Sequence, residues 1–360
     1  MGGQKGIALF YEYLSKMLPV TMIGTTKQLP QQFDGEFIPA LGESKYRYIN
    51  PALFLKVKRR IENAGASHLI LEHPYFGWLG VMLKRACKLK LVIHSHNIES
   101  LRFKTMHKWW WKILWQYERI THRNADISFF ITDEDRAYAI KQFDLIESKC
   151  HTITYGIEMA HAPTQEEKHS SRKVLEELYG IHPDENILLF NGTLSYVPNL
   201  LALDHILQNI NPLLLKSMGY KYKILICGKG LPENYQDLTH YKSVNIIHAG
   251  FVEDISVYFK GADVFLNPTV DGGGIKTKLV EALGYNNAVV SYTSGAIGIP
   301  AGITGNKLQV IEDNDSMGFV SAILSVRKEE LIPASFFNHF YWTNIVTKAA
   351  LVLQQSLQTK

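Results

Sequence analysis

Short apolar runs alternate with amphipathic stretches along most of the chain. The runs His68–Glu72, Leu89–His94, Ala125–Ile131 and His151–Thr154 have the length and composition of strands. So do Asn186 to a turn at Gly192, Lys223–Cys227, Val244–Gly250, Val264–Leu266, Ala288–Ser291 and Leu308–Ile311. Between them, helical spacing of apolar residues predicts helices over Ile7–Met17, Pro51–Asn63, Gly77–Lys88, Leu101–Arg123, Pro198–Ile210, Ile275–Leu283 and Phe336–Leu357. Such alternation predicts parallel α/β sheets. At 360 residues the chain exceeds one usual core, so two domains are expected. The start breaks the pattern: a helix precedes the first strand, Val20–Gly24, whereas a doubly wound domain begins with its central strand. The expectation is a first domain lacking that strand, with the true start of the chain upstream of Met1.

Polar residues mark the element ends. Thr132 reads as an N-cap, with Asp133, Glu134 and Asp135 in the first turn as complements of the helix dipole. Asp254 caps a short helix to Lys260 in the same way. The stretch Ala160–Arg172 reads as a linker or the start of a surface helix.

One segment, Asp263–Ile299, combines these signals into a β-α-β unit with the glycines Gly272, Gly273 and Gly274 between strand and helix. Glycines let a ligand approach the backbone, the helix start offers N–H groups with partial positive charge, and Lys276 and Lys278 add full charges. This chemistry suits a phosphate. The plainer alternative is a glycine turn in an ordinary doubly wound sheet.

Composition narrows the classes. A hydrophobic share of 46% with 20% charged residues is that of a folded protein. A net charge of +4 permits attraction to nucleotide phosphates or anionic lipid, but is too small and scattered for duplex nucleic acid, so no nucleic-acid partner is expected. Cys87, Cys150 and Cys227 are few and widely spaced, which fits a reducing compartment and no structural zinc site. With no apolar run near 18 residues and no signal-peptide core, the expected location is the cytoplasm. His94 and His96 project to one side of a strand, but the sequence indicates no third ligand, so no metal is expected. In Arg102–Trp115, aromatics interleave with cations, which leaves two readings: a membrane-surface helix, or a stripe packed into the domain.

The motifs resemble those of a known family. Pro268–Ala282, PTVDGGGIKTKLVEA, followed by a buried strand and Gly295-Ala-Ile-Gly298, is similar to the nucleotide-sugar site of retaining glycosyltransferases of the GT-B fold, family 4. His96-Asn97-Ile98-Glu99 resembles the tetrad with which the family's first domain faces the donor, and Gly156-Ile157 its hinge. Gly228-Lys229-Gly230 resembles a G-x-G loop, and Gly192 with Pro198-Asn199 a G-x5-P-N variant of the first loop. The resemblance implies an α/β fold with two Rossmann-like doubly wound domains facing across a cleft. Residues 1–157 would form the acceptor-side domain, 158–335 the nucleotide-sugar domain, and 336–360 a helix crossing back to the first.

By the same resemblance Glu281 holds the ribose, while Gly192, Thr193, Lys229, Gly273, Gly274 and Ile275 line the donor. His96 and Lys276 are the catalytic candidates, with Gly3, Asn97 and Glu99 on the acceptor side. Gly273 stands where many members carry a second glutamate, and the first loop lacks the usual Arg and Lys, so Lys276 is expected to neutralise the diphosphate. The function implied is hexosyl transfer from a nucleotide diphosphate sugar to a glycan or lipid-linked acceptor in envelope polysaccharide biosynthesis, with no cofactor and no metal requirement. The enzyme is expected in the cytoplasm or peripheral on the inner membrane face. The alternatives are a nucleotide-sugar-binding or scaffold protein derived from such an enzyme, or an epimerase or hydrolase of the same fold.

Overall fold

The computed structural model describes residues 2–25 and 33–358, which divide into two compact units. One is Gly2–Gly156 together with the chain from Trp342 on; the other is Ile157–Tyr341. In the first, the strands are β1 (Thr21–Gly24), β2 (Glu36–Pro39), β3 (His68–Glu72), β4 (Lys90–Ser95), β5 (Ile127–Phe130) and β6 (Cys150–Thr152). They form two parallel sheets, β1-β2 and β3-β4-β5-β6. Leu91, Val92, Ile93, Phe129 and Phe130 on β4 and β5 are fully buried, as parallel strands covered on both faces require. Among the described residues β1 and β3 each pair on one side only, the interrupted arrangement expected of a domain without a central strand. The helix Ala52–Ala64 sets Leu53, Val57 and Ile61 against Leu79 and Leu83 of the helix Gly77–Cys87. Each such side chain contributes about 1.5–3 kcal/mol by leaving water.

The helix expected over Leu101–Arg123 is two helices, Glu99–Thr105 and Trp111–Asn124. His107 adopts φ 54°, and the N–H of Lys108 donates to Phe103 O at 3.0 Å, a left-handed stop made without glycine. The aromatic stripe divides accordingly. Trp115 packs on Phe143 and donates from Nε1 to the Tyr138 hydroxyl, whereas Trp109 is 82% exposed.

The second unit has one six-stranded parallel sheet, ordered β12-β11-β10-β7-β8-β9. Its strands are β7 (Asn186–Asn191), β8 (Tyr222–Cys227), β9 (Ile246–Gly250), β10 (Val264–Asn267), β11 (Ala288–Tyr292) and β12 (Leu308–Ile311). The order reverses between β7 and β10, and in such sheets the loops beyond the carboxyl ends at that switch form a crevice. The stretch 160–172 enters the helix Gln165–Tyr179, whose start carries a capping box between Thr164 and Glu167. The helix expected over Phe336–Leu357 is divided at Tyr341 into Ala334–Phe340 and Trp342–Gln358. Tyr341 is extended and bridges Ile157, whose N–H donates to Phe340 O at 2.7 Å. Trp342–Gln358 packs with the first unit, Trp342 lying against Tyr155. No helix among the described residues is long and apolar enough to cross a membrane.

Candidate active site

The second unit's site lies at the carboxyl ends of β7, β8 and β10. Leaving β10, buried Asn267 donates to Ser291 Oγ at 2.8 Å and to Gly295 O at 3.1 Å, and it accepts from Thr269 Oγ1 at 3.0 Å. These bonds fix the base of the glycine loop. Gly272 (φ 90°) and Gly274 (φ 68°) are left-handed, a conformation that costs any other residue more. Gly273 is exposed at the tip and Ile275 is half-buried. The helix begins at Thr277, two residues later than the sequence predicts, with Lys276 at the cap and no side-chain cap bond. Lys276 Nζ instead donates to Gly272 O at 2.6 Å and Gly274 O at 3.2 Å.

Lys278, one position into the helix beyond Thr277, reaches the first loop of the unit. Its Nζ donates to Asn191 O at 3.3 Å and Asn199 Oδ1 at 3.1 Å, and it lies 4.7 Å above the Phe190 ring. Burial lowers the Lys276 ammonium to about 8, against the pull of Asp271, and burial together with the charge of Lys276 lowers Lys278 to about 7. Two desolvated cations that hydrogen-bond to neutral oxygens make a setting suited to an anion. Glu281 is half-buried three residues on from Lys278, on the same helix face.

The first loop is held close to its neighbour. A Cβ at Gly228 would come within 1.8 Å of Gly192 O, and Leu194 N–H donates to Lys229 O at 2.8 Å. Asn199 Nδ2 donates to Thr193 O at 3.0 Å. Gly192, Thr193, Lys229, Gly273, Gly274, Ile275, Lys276 and Glu281 thus all fall on loops or the helix at the switch-point end of one sheet. The sequence counts Lys278 among the charges beside the glycine loop but does not place it at the first loop. Its signal was indirect: a first loop without cations needs one delivered from elsewhere.

In the first unit, parallel pairing sets Glu72 beside His94, and His96 follows two positions on. Glu72 Oε1 lies 3.0 Å from His94 Nδ1, and Oε2 lies 2.5 Å from His96 Nε2. The Tyr11 hydroxyl donates to Oε1 at 2.7 Å. Burial alone would raise the Glu72 carboxyl, but the charges and hydrogen bonds of His94 and His96 hold it well below the usual range. Asn97 is half-buried in the turn that follows. Glu99 is 1% exposed and accepts from the Tyr75 hydroxyl at 2.5 Å and Arg102 Nε at 3.0 Å. Burial would raise it too, yet His73, Tyr75 and Arg102 bring it to about 2. Glu118, which sequence reasoning passed over, accepts the N–H groups of Glu99 and Ser100 at 2.8 Å each and so caps this helix. Gly3 lies in the first turn of the helix Gly2–Ser15.

Two family profiles match the chain, one to each half. Residues 3–161 match Glycosyltransferase Family 4, and residues 185–329 match Glycosyl transferases group 1. The chain is a GT-B glycosyltransferase of the family 4 type. Among solved structures, a glycosyltransferase from Rickettsia africae aligns over 100% of this family 4-like chain and 96% of its own, at 16% identity and a TM-score of 0.73. HepE from Anabaena, in complex with UDP, aligns over 99% and 96% at 14% identity and 0.73. WaaG, involved in lipopolysaccharide biosynthesis, aligns over 100% and 93% at 14% identity and 0.58. At these identities the likeness is one of fold. A curated relative from Klebsiella pneumoniae, an uncharacterized 44.6 kDa protein in the cps region, is 26% identical over 147 residues. That match spans 39% of this chain and 37% of the relative's length.

Proposed function

We propose that this protein transfers a hexose from a uridine diphosphate sugar to a glycan or lipid-linked acceptor, with retention of anomeric configuration. The observation that carries the reading is the pair of desolvated lysines, Lys276 and Lys278, between the glycine loop and the first loop. Charge that develops on a departing diphosphate meets cations already stripped of water, an interaction that strengthens toward the transition state. Glu281 takes the ribose hydroxyls and His96 acts on the sugar or acceptor side. HepE structures hold UDP, glucose and UDP-glucose, which supports uridine as the base. No cofactor beyond the donor is assigned, and the protein acts at the cytoplasmic membrane face, with exposed Trp109 and its neighbouring cations as the contact.

Calorimetric titration with UDP, GDP and ADP, followed by product analysis after incubation with UDP-sugars, tests the reading. UDP binding with release of UDP from a UDP-sugar in an acceptor-dependent manner supports transfer. Failure of every nucleoside diphosphate to bind removes the donor site. A second reading, a protein that binds nucleotide sugar without transferring it, is favoured by Gly273 in place of a second acid. Tight UDP binding with no turnover in any acceptor fraction would select it.

A further inference from the structure

The Glu72, His94 and His96 cluster has the make-up of a metal centre. Among the described residues it is the single group of three or more histidines, cysteines or acids whose donor atoms converge, all within 4.8 Å of one another. Three features set it apart from a chance cluster. The ligands sit on the ends of adjacent paired strands, Glu72 directly across from His94, so the scaffold holding them is rigid. Glu72 is oriented by the Tyr11 hydroxyl, the kind of outer partner that fixes a ligating carboxylate. His94 is 2% exposed, so its Nδ1 meets Glu72 out of reach of bulk water.

We propose that Glu72, His94 and His96 bind a divalent transition-metal cation of the zinc class. Two imidazoles and one carboxylate suit that borderline-soft class, and three protein ligands leave a coordination position open. Bonds of about 2.0–2.2 Å to a shared cation hold ligand atoms roughly 3.3 Å apart in tetrahedral geometry. The His94 Nδ1–Glu72 Oε1 separation of 3.0 Å is close to that value, the His96 Nε2–Glu72 Oε2 separation of 2.5 Å opens toward it, and the wider separations in the group, all within 4.8 Å, close toward it. The cation takes over both imidazole–carboxylate contacts, and its charge is balanced in part by the Glu72 carboxylate. The site lies wholly in the first unit and shares His96 with the sugar or acceptor side of the proposed transfer.

The test is titration of metal-free full-length protein with Zn2+, and with Co2+ as a spectroscopic probe. The expected result is one tight equivalent per chain and a Co2+ visible absorption of low-coordinate type. Glu72→Gln and His94→Gln should each weaken Zn2+ binding by at least about tenfold while the protein, checked by circular dichroism, remains folded. Zinc X-ray absorption of the wild-type protein supplies a measurement independent of any variant and should show two imidazoles in the first shell. No uptake from an equimolar mixture, binding unchanged in both variants, or a shell with fewer than two imidazoles would overturn the proposal.

Discussion

At the carboxyl end of β10, Lys276 and Lys278 direct their ammonium groups at carbonyl and amide oxygens, whereas the carboxylates of Glu72 and Glu99 in the first unit meet hydroxyls, imidazoles and a guanidinium. Burial acts on both sets, with opposite outcomes. The lysines shift toward neutrality, to about 8 and 7, because neutral oxygens do not replace the lost water. The carboxylates shift away from neutrality, Glu99 to about 2, because their partners do more than replace it. A desolvated charge met mainly by neutral groups suits an incoming counter-charge, whereas one already met by charged partners, as Glu99 is, adds to the frame. Glu99 thus belongs to the frame beside His96, whereas Lys276 and Lys278 carry charge that their neutral partners do not compensate.

The contrast predicts where stability and where activity will suffer. The largest effect belongs to Glu99→Ala, which leaves Tyr75, His73 and Arg102 without their shared acceptor. Breaking such a buried pair from one side costs about 3 kcal/mol, read from urea unfolding of the first unit. A loss below about 0.5 kcal/mol would mean that the network is not a frame, and the comparison would fail at its strongest point.

Lys276→Ala should do the reverse. Removing a cation that burial disfavours leaves the fold as stable as before or more so, while turnover with a UDP-sugar falls by about a hundredfold, the loss typical of one preorganised transition-state donor. UDP affinity should fall less than turnover does. Equal losses in both would assign Lys276 to ground-state phosphate alone.

How far this contrast could be read from the sequence depends on which interactions are local. Apart from β2, which the sequence did not suggest, the strands of both units follow from apolar runs, and the motifs place Gly192, Lys276 and Glu281 on loops or helix at one sheet end. The break at His107 was not legible, because a non-glycine residue closes the helix there. Nor was Glu72 as a partner of His94 and His96: two histidines on one strand are visible in sequence, but the third member depends on which strand lies alongside. Which of two lysines reaches the first loop depends on the helix starting at Thr277 and not at Ile275. In each case the deciding contact is between segments distant in the chain.

A smaller effect is expected from Glu281→Gln. The substitution keeps shape and removes charge, so two charge-assisted bonds to the ribose hydroxyls weaken, and UDP affinity drops about tenfold by calorimetry. Ribose-free diphosphate should bind the variant as well as it binds the parent protein. If pyrophosphate binding also falls tenfold, Glu281 is shaping the helix start and not holding the ribose.

The smallest effect is a pH dependence that separates the two kinds of buried charge. Lys278 at about 7 is half protonated at pH 7 in the ligand-free protein. A diphosphate binds the protonated form, so between pH 7 and pH 8, where that fraction falls from about one half to one tenth, UDP affinity should drop about fivefold. The stability of the ligand-free second unit moves the other way. Its lysine value lies below the unfolded 10.5, so the unfolded chain holds more protons between about pH 7 and pH 10 and stability rises with pH across that window. Glu99 has the opposite sign: its value of about 2 lies below the unfolded 4.5, so its stabilisation is complete above pH 5 and is lost as pH falls through that range, leaving the first unit flat from pH 7 to pH 8 in this respect. Lys278→Met should therefore abolish the fall in UDP affinity and reduce the rise in stability of the second unit, to which Lys276, Lys168 and Lys307 at about 8 still contribute, with the acid sensitivity of the first unit unchanged. If the fivefold slope persists in Lys278→Met, the titrating group is Lys276 or lies on the nucleotide itself, and Lys278 belongs to the frame after all.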